Sequence, residues 1–123
     1  KSGITGAIYP GGMPGSETLS SGKNTLPSDI ARYCVENDIL VGAICAAPIV
    51  LGRIGLLENK NATCYPGFEG ELKGANCSAE GVAISGNIIT GKGPGKSFDF
   101  AYAIVASLLG EAKANEISSA MQY

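Results

Sequence analysis

Histidine is absent from this chain of 123 residues, and so are clusters of basic residues and long apolar runs. Without His, and with no Cys-x-x-Cys spacing, the chain lacks the ligand pattern of a zinc site, so we expect no metal. The formal net charge of −2 argues against nucleic-acid binding, because little attracts a phosphate backbone. The apolar runs are too short to span a bilayer, and the first residues do not resemble a signal peptide. We therefore expect neither a nucleic-acid nor a membrane partner.

What is present is the composition of a folded domain. Apolar residues make up 45% of the chain and charged residues 16%, and the length suits one domain with one core. A core this apolar does not need disulfides, so we expect a cytoplasmic protein whose four cysteines are reduced. The first residue is Lys1 and a strand pattern begins almost at once. We therefore expect the native N-terminus to lie upstream.

Short apolar runs alternate with helical patterns along the chain. The runs predict strands at residues 4–9, 39–44 and 61–65, and a hairpin of residues 82–85 and 88–90 around Gly86-Asn87. Helices are predicted at residues 27–35, with Pro27 in the first turn, and at 46–54, 97–109 and 112–121, with one helical turn at 68–72. Uninterrupted apolar strands alternating with helices indicate a parallel sheet that is covered on both faces.

Cys45 lies between a predicted buried strand and the start of a helix, in the stretch Ala43-Ile44-Cys45-Ala46-Ala47. Its neighbours are small, as a sharp turn requires, and the Gly-x-Ser-x-Gly elbow of hydrolases exposes its nucleophile in the same way. The N–H groups and dipole of the following helix would stabilise a thiolate there. The context predicts a reactive cysteine; the alternative is an inert core residue, as most free cysteines are.

A Pro10-Gly11-Gly12 loop follows the first predicted strand. Because parallel strands end at the same edge of a sheet, this loop is expected beside the Cys45 turn. Glycine lets the backbone approach a ligand, so an N–H of the loop and the N–H of Ala46 could form an oxyanion hole. The alternative is that the three residues only make a turn.

The segment 91–97 resembles a phosphate-binding loop. However, Thr90 stands where such a loop needs its first Gly, and Pro94 lacks the N–H that would hold phosphate. We interpret the segment as a turn that opens a helix.

The other cysteines carry weaker signals. Cys34 shares a helix face with Ile30 and is predicted to lie in the core, whereas Cys77 sits in a polar stretch and is predicted to be exposed. Cys64 comes just before Tyr65 and is a secondary candidate for the site. The helix predicted at residues 97–109 has an apolar face, which consists of Phe98, Tyr102, Val105 and Leu109. This face indicates core packing or a dimer contact.

Four motifs follow one another along the chain: residues 9–12 (YPGG), 43–48 (AICAAP), 62–66 (ATCYP) and 93–101 (GPGKSFDFA). Their order and spacing resemble those of the ThiJ/PfpI superfamily, most closely the branch of the Parkinson-disease-associated protein and its bacterial YajL relatives. The resemblance covers essentially the whole chain. It implies a flavodoxin-like three-layer α/β/α sandwich with a mostly parallel sheet, and one domain over residues 1–123 that lacks its N-terminal third, with the first strands preceding Lys1.

The resemblance also implies the site. Cys45 matches the family's nucleophile, and Gly12 and Ala46 match the residues whose backbone N–H groups face the oxyanion or the oxidised sulfur. Gly11, Tyr65 and Pro66 match the pocket wall. Some relatives have His where this chain has Tyr65, so a Cys–His pair is not available within it.

The family's remaining essential group is a Glu near the end of the first strand, which hydrogen-bonds the thiol. None of Glu17, Glu36 and Asp38 matches it. The resemblance therefore implies an N-terminal segment carrying this Glu on a separate or missing piece.

By resemblance, the expected activity is a cofactor-free conversion of small reactive aldehydes, of the glyoxalase or deglycase type, taking methylglyoxal to lactate through a Cys45 hemithioacetal. The resemblance also implies a homodimer. The alternative is a redox sensor or chaperone-like stress protein that uses oxidation of Cys45. The peptidase and amidotransferase branches use a His that this chain lacks.

Overall fold

The computed structural model describes residues 6–11 and 26–121. Over these ranges the chain forms six strands and four α-helices. In chain order they are β1 (Gly6–Tyr9), α1 (Leu26–Glu36), β2 (Leu40–Ile44), α2 (Pro48–Gly52), β3 (Asn61–Ala62), β4 (Asn76–Cys77), β5 (Val82–Ser85), β6 (Ile88–Gly91), α3 (Ser97–Leu109) and α4 (Glu111–Ala120). Short 3₁₀ turns span Glu69–Glu71 and Pro94–Lys96.

The central sheet has the strand order β1-β2-β6-β5. The pairs β1–β2 and β2–β6 are parallel, and β5 closes one side as the antiparallel partner of β6. The register pairs Tyr9 with Ala43 and Ala43 with Thr90, so the three parallel strands end at the same edge. The mostly parallel α/β sheet predicted from the sequence is confirmed.

Alternate residues of β2 enter two different core clusters. Val41 and Ala43 belong to the cluster that contains Cys34 of α1, whereas Leu40 belongs to the cluster of Phe100 in α3. Since successive strand residues point to opposite faces, α1 and α3 cover opposite sides of the sheet. This is the predicted three-layer arrangement, and Cys34 is buried in it as expected.

The hairpin between β5 and β6 turns at Gly86-Asn87, as predicted. Gly86 has a φ of 59°, which glycine adopts at little cost. The Asn87 side chain donates a 2.6 Å hydrogen bond to the carbonyl of Ile39, tying the turn to the start of β2.

Two predicted elements are shorter than expected. The strand predicted at 61–65 covers only Asn61–Ala62, because the backbone N–H of Thr63 donates to the Thr90 hydroxyl and that of Tyr65 to the Cys45 carbonyl. The helix predicted at 46–54 covers only Pro48–Gly52. Residues 45–47 instead form a turn in which the Ala47 N–H donates to the Ile44 carbonyl.

The apolar face predicted for α3 does not pack as one surface within the described part of the chain, and its alternative as a dimer contact stays a prediction. Leu109 is 64% exposed, whereas Phe100 is buried against the sheet. Phe98, Tyr102 and Val105 instead line a small apolar cavity against α4. In the described part of the chain, no helix has the length and apolarity needed to cross a membrane.

Candidate functional site

Cys45 occupies the turn that joins β2 to α2. Its N–H donates a 2.9 Å hydrogen bond to the carbonyl of Gly91, the last residue of β6, and its carbonyl accepts one of 2.7 Å from the N–H of Tyr65. Two residues after Cys45, the Ala47 N–H donates a 3.1 Å hydrogen bond to the Ile44 carbonyl. The backbone of Cys45 is thus held from two neighbouring segments.

The φ of Cys45 is 66°, a left-handed value that few residues other than glycine adopt. Such a conformation costs on the order of 1–3 kcal/mol and persists only where the surroundings enforce it. Here the hydrogen bonds to Gly91 and Tyr65 supply that constraint. The geometry is the sharp strand–turn–helix arrangement expected from the sequence, and the Cys45 side chain is half-buried within it.

Gly11 lies directly against Cys45, 34 residues away in sequence. A Cβ atom on Gly11 would stand 2.5 Å from the Cβ and 3.4 Å from the Sγ of Cys45. No other residue type fits this approach without movement of the turn. The parallel register therefore brings Gly11, which follows β1, to the Cys45 thiol. Gly12, the predicted backbone donor, lies outside the described residues.

Ala46 is 2% exposed, and within the described part of the chain its N–H has no hydrogen-bond partner. The N–H groups of its neighbours Cys45 and Ala47 are both bonded. Because buried backbone N–H groups are nearly always paired, this one calls for an explanation. A ligand oxygen bound beside the thiol would supply the acceptor.

A cavity of about 340 Å³ opens above the thiol, lined by Gly11, Ile44, Cys45, Pro94 and Ser97. Cavities that bind small molecules have volumes in this range. Pro94 and Ser97 were not among the predicted site residues. The signal that could have found them is their position just after β6, a parallel strand that ends at the same edge as β2.

Tyr65, a predicted pocket residue, fixes the turn through its backbone and is 46% exposed. Its ring lies near Gly93, where an added Cβ would be 3.4 Å from the ring carbon Cδ1. Pro66, the next predicted pocket residue, is exposed. The backbone of Tyr65 thus contacts the Cys45 turn, but neither Tyr65 nor Pro66 belongs to the described lining of the cavity.

The remaining cysteines are unlike Cys45. Burial above all, with the nearby negative charge of Glu69 and then the thiols of Cys77 and Cys45, raises the pKa of Cys64 to about 12. Burial also raises the pKa of Cys34. These two thiols stay protonated and unreactive near neutral pH. Cys77 is exposed, as predicted.

No carboxylate lines the described cavity. Glu36 ends α1 and Asp38 precedes β2, so both lie at the opposite edge of the sheet from Cys45, and Glu17 is outside the described residues. Within residues 6–11 and 26–121 no three His, Cys, Asp or Glu side chains come together as metal ligands do.

Comparison with known proteins gives similar chains in plants and animals. The DJ-1 homolog B of Arabidopsis thaliana is 42% identical over 125 residues, which cover 95% of this chain and 28% of that protein. The glutathione-independent glyoxalase DJR-1.2 of Caenorhabditis elegans is 35% identical, over 89% of this chain and 58% of that protein.

Solved structures show the same fold. A cysteine-to-alanine mutant of a DJ-1 superfamily protein from Salmonella typhimurium superposes with a TM-score of 0.89 at 30% identity, over 97% of this chain and 64% of that one. The oxidised DJ-1 of Toxoplasma gondii superposes with a TM-score of 0.85 at 28% identity, over 95% of this chain and 64% of that one.

This chain spans less than two thirds of the length of each of these relatives. The pattern of the DJ-1/PfpI family matches residues 4–107. The match therefore includes the Cys45 turn, the Gly11 loop and the start of α3. On this evidence the chain belongs to the DJ-1/PfpI family.

Proposed function

We propose that this chain carries the reactive cysteine of a cofactor-free glyoxalase-type enzyme that converts methylglyoxal to lactate. The observation that carries the proposal is the Cys45 thiol at a strained turn, facing a cavity of about 340 Å³, next to the Ala46 N–H that no acceptor among residues 6–11 and 26–121 engages. A relative 35% identical to this chain bears the name of a glutathione-independent glyoxalase.

The reaction begins when the Cys45 thiolate adds to the aldehyde carbon of methylglyoxal. A C–S bond forms, and the electron pair of the C=O bond moves to the oxygen, giving a hemithioacetal after protonation. The Ala46 N–H stabilises the oxygen as its charge develops, and we assign the second donor to the Gly12 N–H, as the family resemblance implies. The absence of an acceptor for the Ala46 N–H among the described residues fits this role.

The second half of the reaction moves a proton and then adds water. The hydrogen on the former aldehyde carbon leaves as a proton, and one is returned to the neighbouring carbon, which converts the ketone to an alcohol and the hemithioacetal to a thioester. Water cleaves the C–S bond, releasing lactate and the thiol, so no external oxidant or reductant is consumed. We propose that the proton transfers are carried out by the Glu that the family resemblance implies, which none of Glu17, Glu36 and Asp38 matches.

Lactate formation from methylglyoxal tests the proposal. We expect turnover by the protein and its loss, by a factor of about a thousand or more, in Cys45→Ser. Cys77→Ser removes an exposed thiol away from the cavity and should leave turnover unchanged. Absence of lactate formation, or turnover that survives in Cys45→Ser, would contradict the proposal.

The second candidate is redox sensing, and the oxidised Toxoplasma gondii DJ-1 favours it as a structural neighbour. Here the Cys45 thiolate attacks hydrogen peroxide, taking one oxygen and releasing water, and a second equivalent gives the sulfinate. The Ala46 N–H would donate to a sulfinate oxygen. Intact mass after dilute peroxide, compared between the protein and Cys45→Ser, measures it. A gain of two oxygens at Cys45 without lactate formation would favour the sensor over the enzyme.

A further inference from the structure

The cavity above Cys45 contains two polar side-chain groups in its described lining, the Cys45 thiol and the Ser97 hydroxyl. The other lining residues, Gly11, Ile44 and Pro94, offer no polar side-chain atom. A ligand bound there can therefore interact with the side chains through two of its atoms: one that reacts with the Cys45 sulfur, and one that forms a hydrogen bond with the Ser97 hydroxyl.

The backbone holds Ser97 at this position. β6 ends at Gly91, whose carbonyl accepts the Cys45 N–H, and the 3₁₀ turn Pro94–Lys96 follows. The Lys96 N–H donates to the Gly93 carbonyl at 2.9 Å, and the Ser97 N–H donates to the Pro94 carbonyl. Both polar groups of the cavity are thus held at the end of β6. Ser97 follows this strand in sequence, and the backbone of Cys45 is hydrogen-bonded to its last residue, Gly91.

The Ser97 hydroxyl has no structural task that the described residues reveal. Serine at a helix start usually caps it from the preceding position, but the N-cap of α3 is Lys96, without a side-chain cap. Among residues 6–11 and 26–121 no hydrogen bond involves the Ser97 hydroxyl, and the side chain is exposed. This leaves the hydroxyl available to a ligand in the cavity.

We propose that Ser97 is the specificity-determining residue of the site, and that its hydroxyl donates a hydrogen bond to the second carbonyl oxygen of a 2-oxoaldehyde. This inference rests on the proposed addition of Cys45 to an aldehyde. As the C–S bond forms at the aldehyde carbon, its oxygen takes the electron pair and then a proton from solvent, while Ser97 keeps its own proton. Ile44 and Pro94 form the apolar part of the lining, against which a small alkyl group can pack. Monoaldehydes, which lack the second carbonyl, lose this contact.

Protection of Cys45 from alkylation tests the inference without requiring turnover. Iodoacetamide labelling of Cys45 is followed by peptide mass spectrometry at increasing concentrations of methylglyoxal or propanal, which gives an apparent dissociation constant for each. In Ser97→Ala we expect the constant for methylglyoxal to rise about fivefold, the effect of one neutral hydrogen bond, and that for propanal to stay the same. Ser97→Thr keeps the hydroxyl and should retain the preference.

Ser107→Ala is the matched control, because Ser107 is an exposed serine of the same helix, ten residues further along. An equal change for both aldehydes in Ser97→Ala, or no change, would overturn the inference. Failure of methylglyoxal to protect wild-type Cys45 would overturn it as well. Methylglyoxal protection that depends on Ser97, without lactate formation, would instead count against the proposed turnover alone.

Discussion

At the scale of single residues, the site depends on the contact between Gly11 and Cys45. The two Cβ positions would be 2.5 Å apart if Gly11 carried a side chain, closer than real Cβ atoms approach one another. A Cβ there would also stand 2.8 Å from the carbonyl oxygen of Ile44. Backbone atoms cannot rotate away as a flexible side chain can, so the turn itself must move to relieve the contact.

Gly11→Ala is therefore expected to displace the Cys45 turn. We expect a loss of about 1–3 kcal/mol in the free energy of unfolding and a fall of about a hundredfold in lactate formation, because small displacements of reacting groups are costly. Gly95→Ala is the control, since a Cβ on Gly95 meets nothing within 4 Å. Urea denaturation and the lactate assay measure both variants, and equal behaviour of the two would show that the Gly11 contact is unimportant.

At the scale of elements, the segment after β3 connects two strands of the central sheet. The Thr63 N–H donates a 3.0 Å hydrogen bond to the Thr90 hydroxyl in β6, and two residues later the Tyr65 N–H holds the Cys45 carbonyl. Thr63 and Thr90 are both buried. The position of the Cys45 turn therefore depends on a side chain of the neighbouring strand as well as on its own backbone.

Thr90→Val removes the acceptor and leaves the Thr63 N–H buried without a partner. We expect the free energy of unfolding to fall by about 1–3 kcal/mol. Thr63→Val is the matched control, because it removes a hydroxyl that forms no hydrogen bond with the described residues. The Thr63 hydroxyl is buried and has no partner among them. Its replacement by a methyl group should leave stability unchanged or raise it. Urea midpoints at constant m-value report both effects, and a larger loss in Thr63→Val would contradict this account.

At the scale of the whole molecule, burial makes the fold sensitive to alkali. Burial above all, with the nearby Cys34, raises the pKa of Tyr9 to about 12, and the pKa of Cys64 is raised to about 12 as well. The ordinary values are 10.0 and 9.0. Above its ordinary pKa each group loses its proton in the unfolded chain while the folded protein keeps it. Their contribution to stability is complete below pH 9 and is lost as the pH rises toward 12.

We expect the free energy of unfolding to decline steadily between pH 9 and 12, as measured by urea denaturation at each pH. Cys64→Ala should make this decline shallower, because it removes one of the groups that retain a proton on folding. Cys77→Ala removes an exposed thiol and serves as the comparison. A decline of the same steepness in Cys64→Ala and the wild-type protein would contradict the assignment to Cys64.

Local patterns in the sequence predicted the elements that surround the site. The apolar run before Cys45, the small residues after it and the Gly86-Asn87 turn each depend on neighbours within a few positions. The local pattern at residues 61–65 predicted too long a strand, because distant partners decide where β3 ends: Thr90 and Cys45 accept the hydrogen bonds of the residues after it. The homodimer and the cytoplasmic location stay predictions.

The amino-acid order alone was enough to single out Cys45 and to place it between a buried strand and a helix, because strand and turn preferences are local. The contact of Cys45 with Gly11 and the position of Ser97 in the cavity lining follow from the alignment of β1, β2 and β6. These three strands are far apart in sequence. Their common edge exists only after parallel pairing has occurred, so the surroundings of the thiol are a property of the folded sheet.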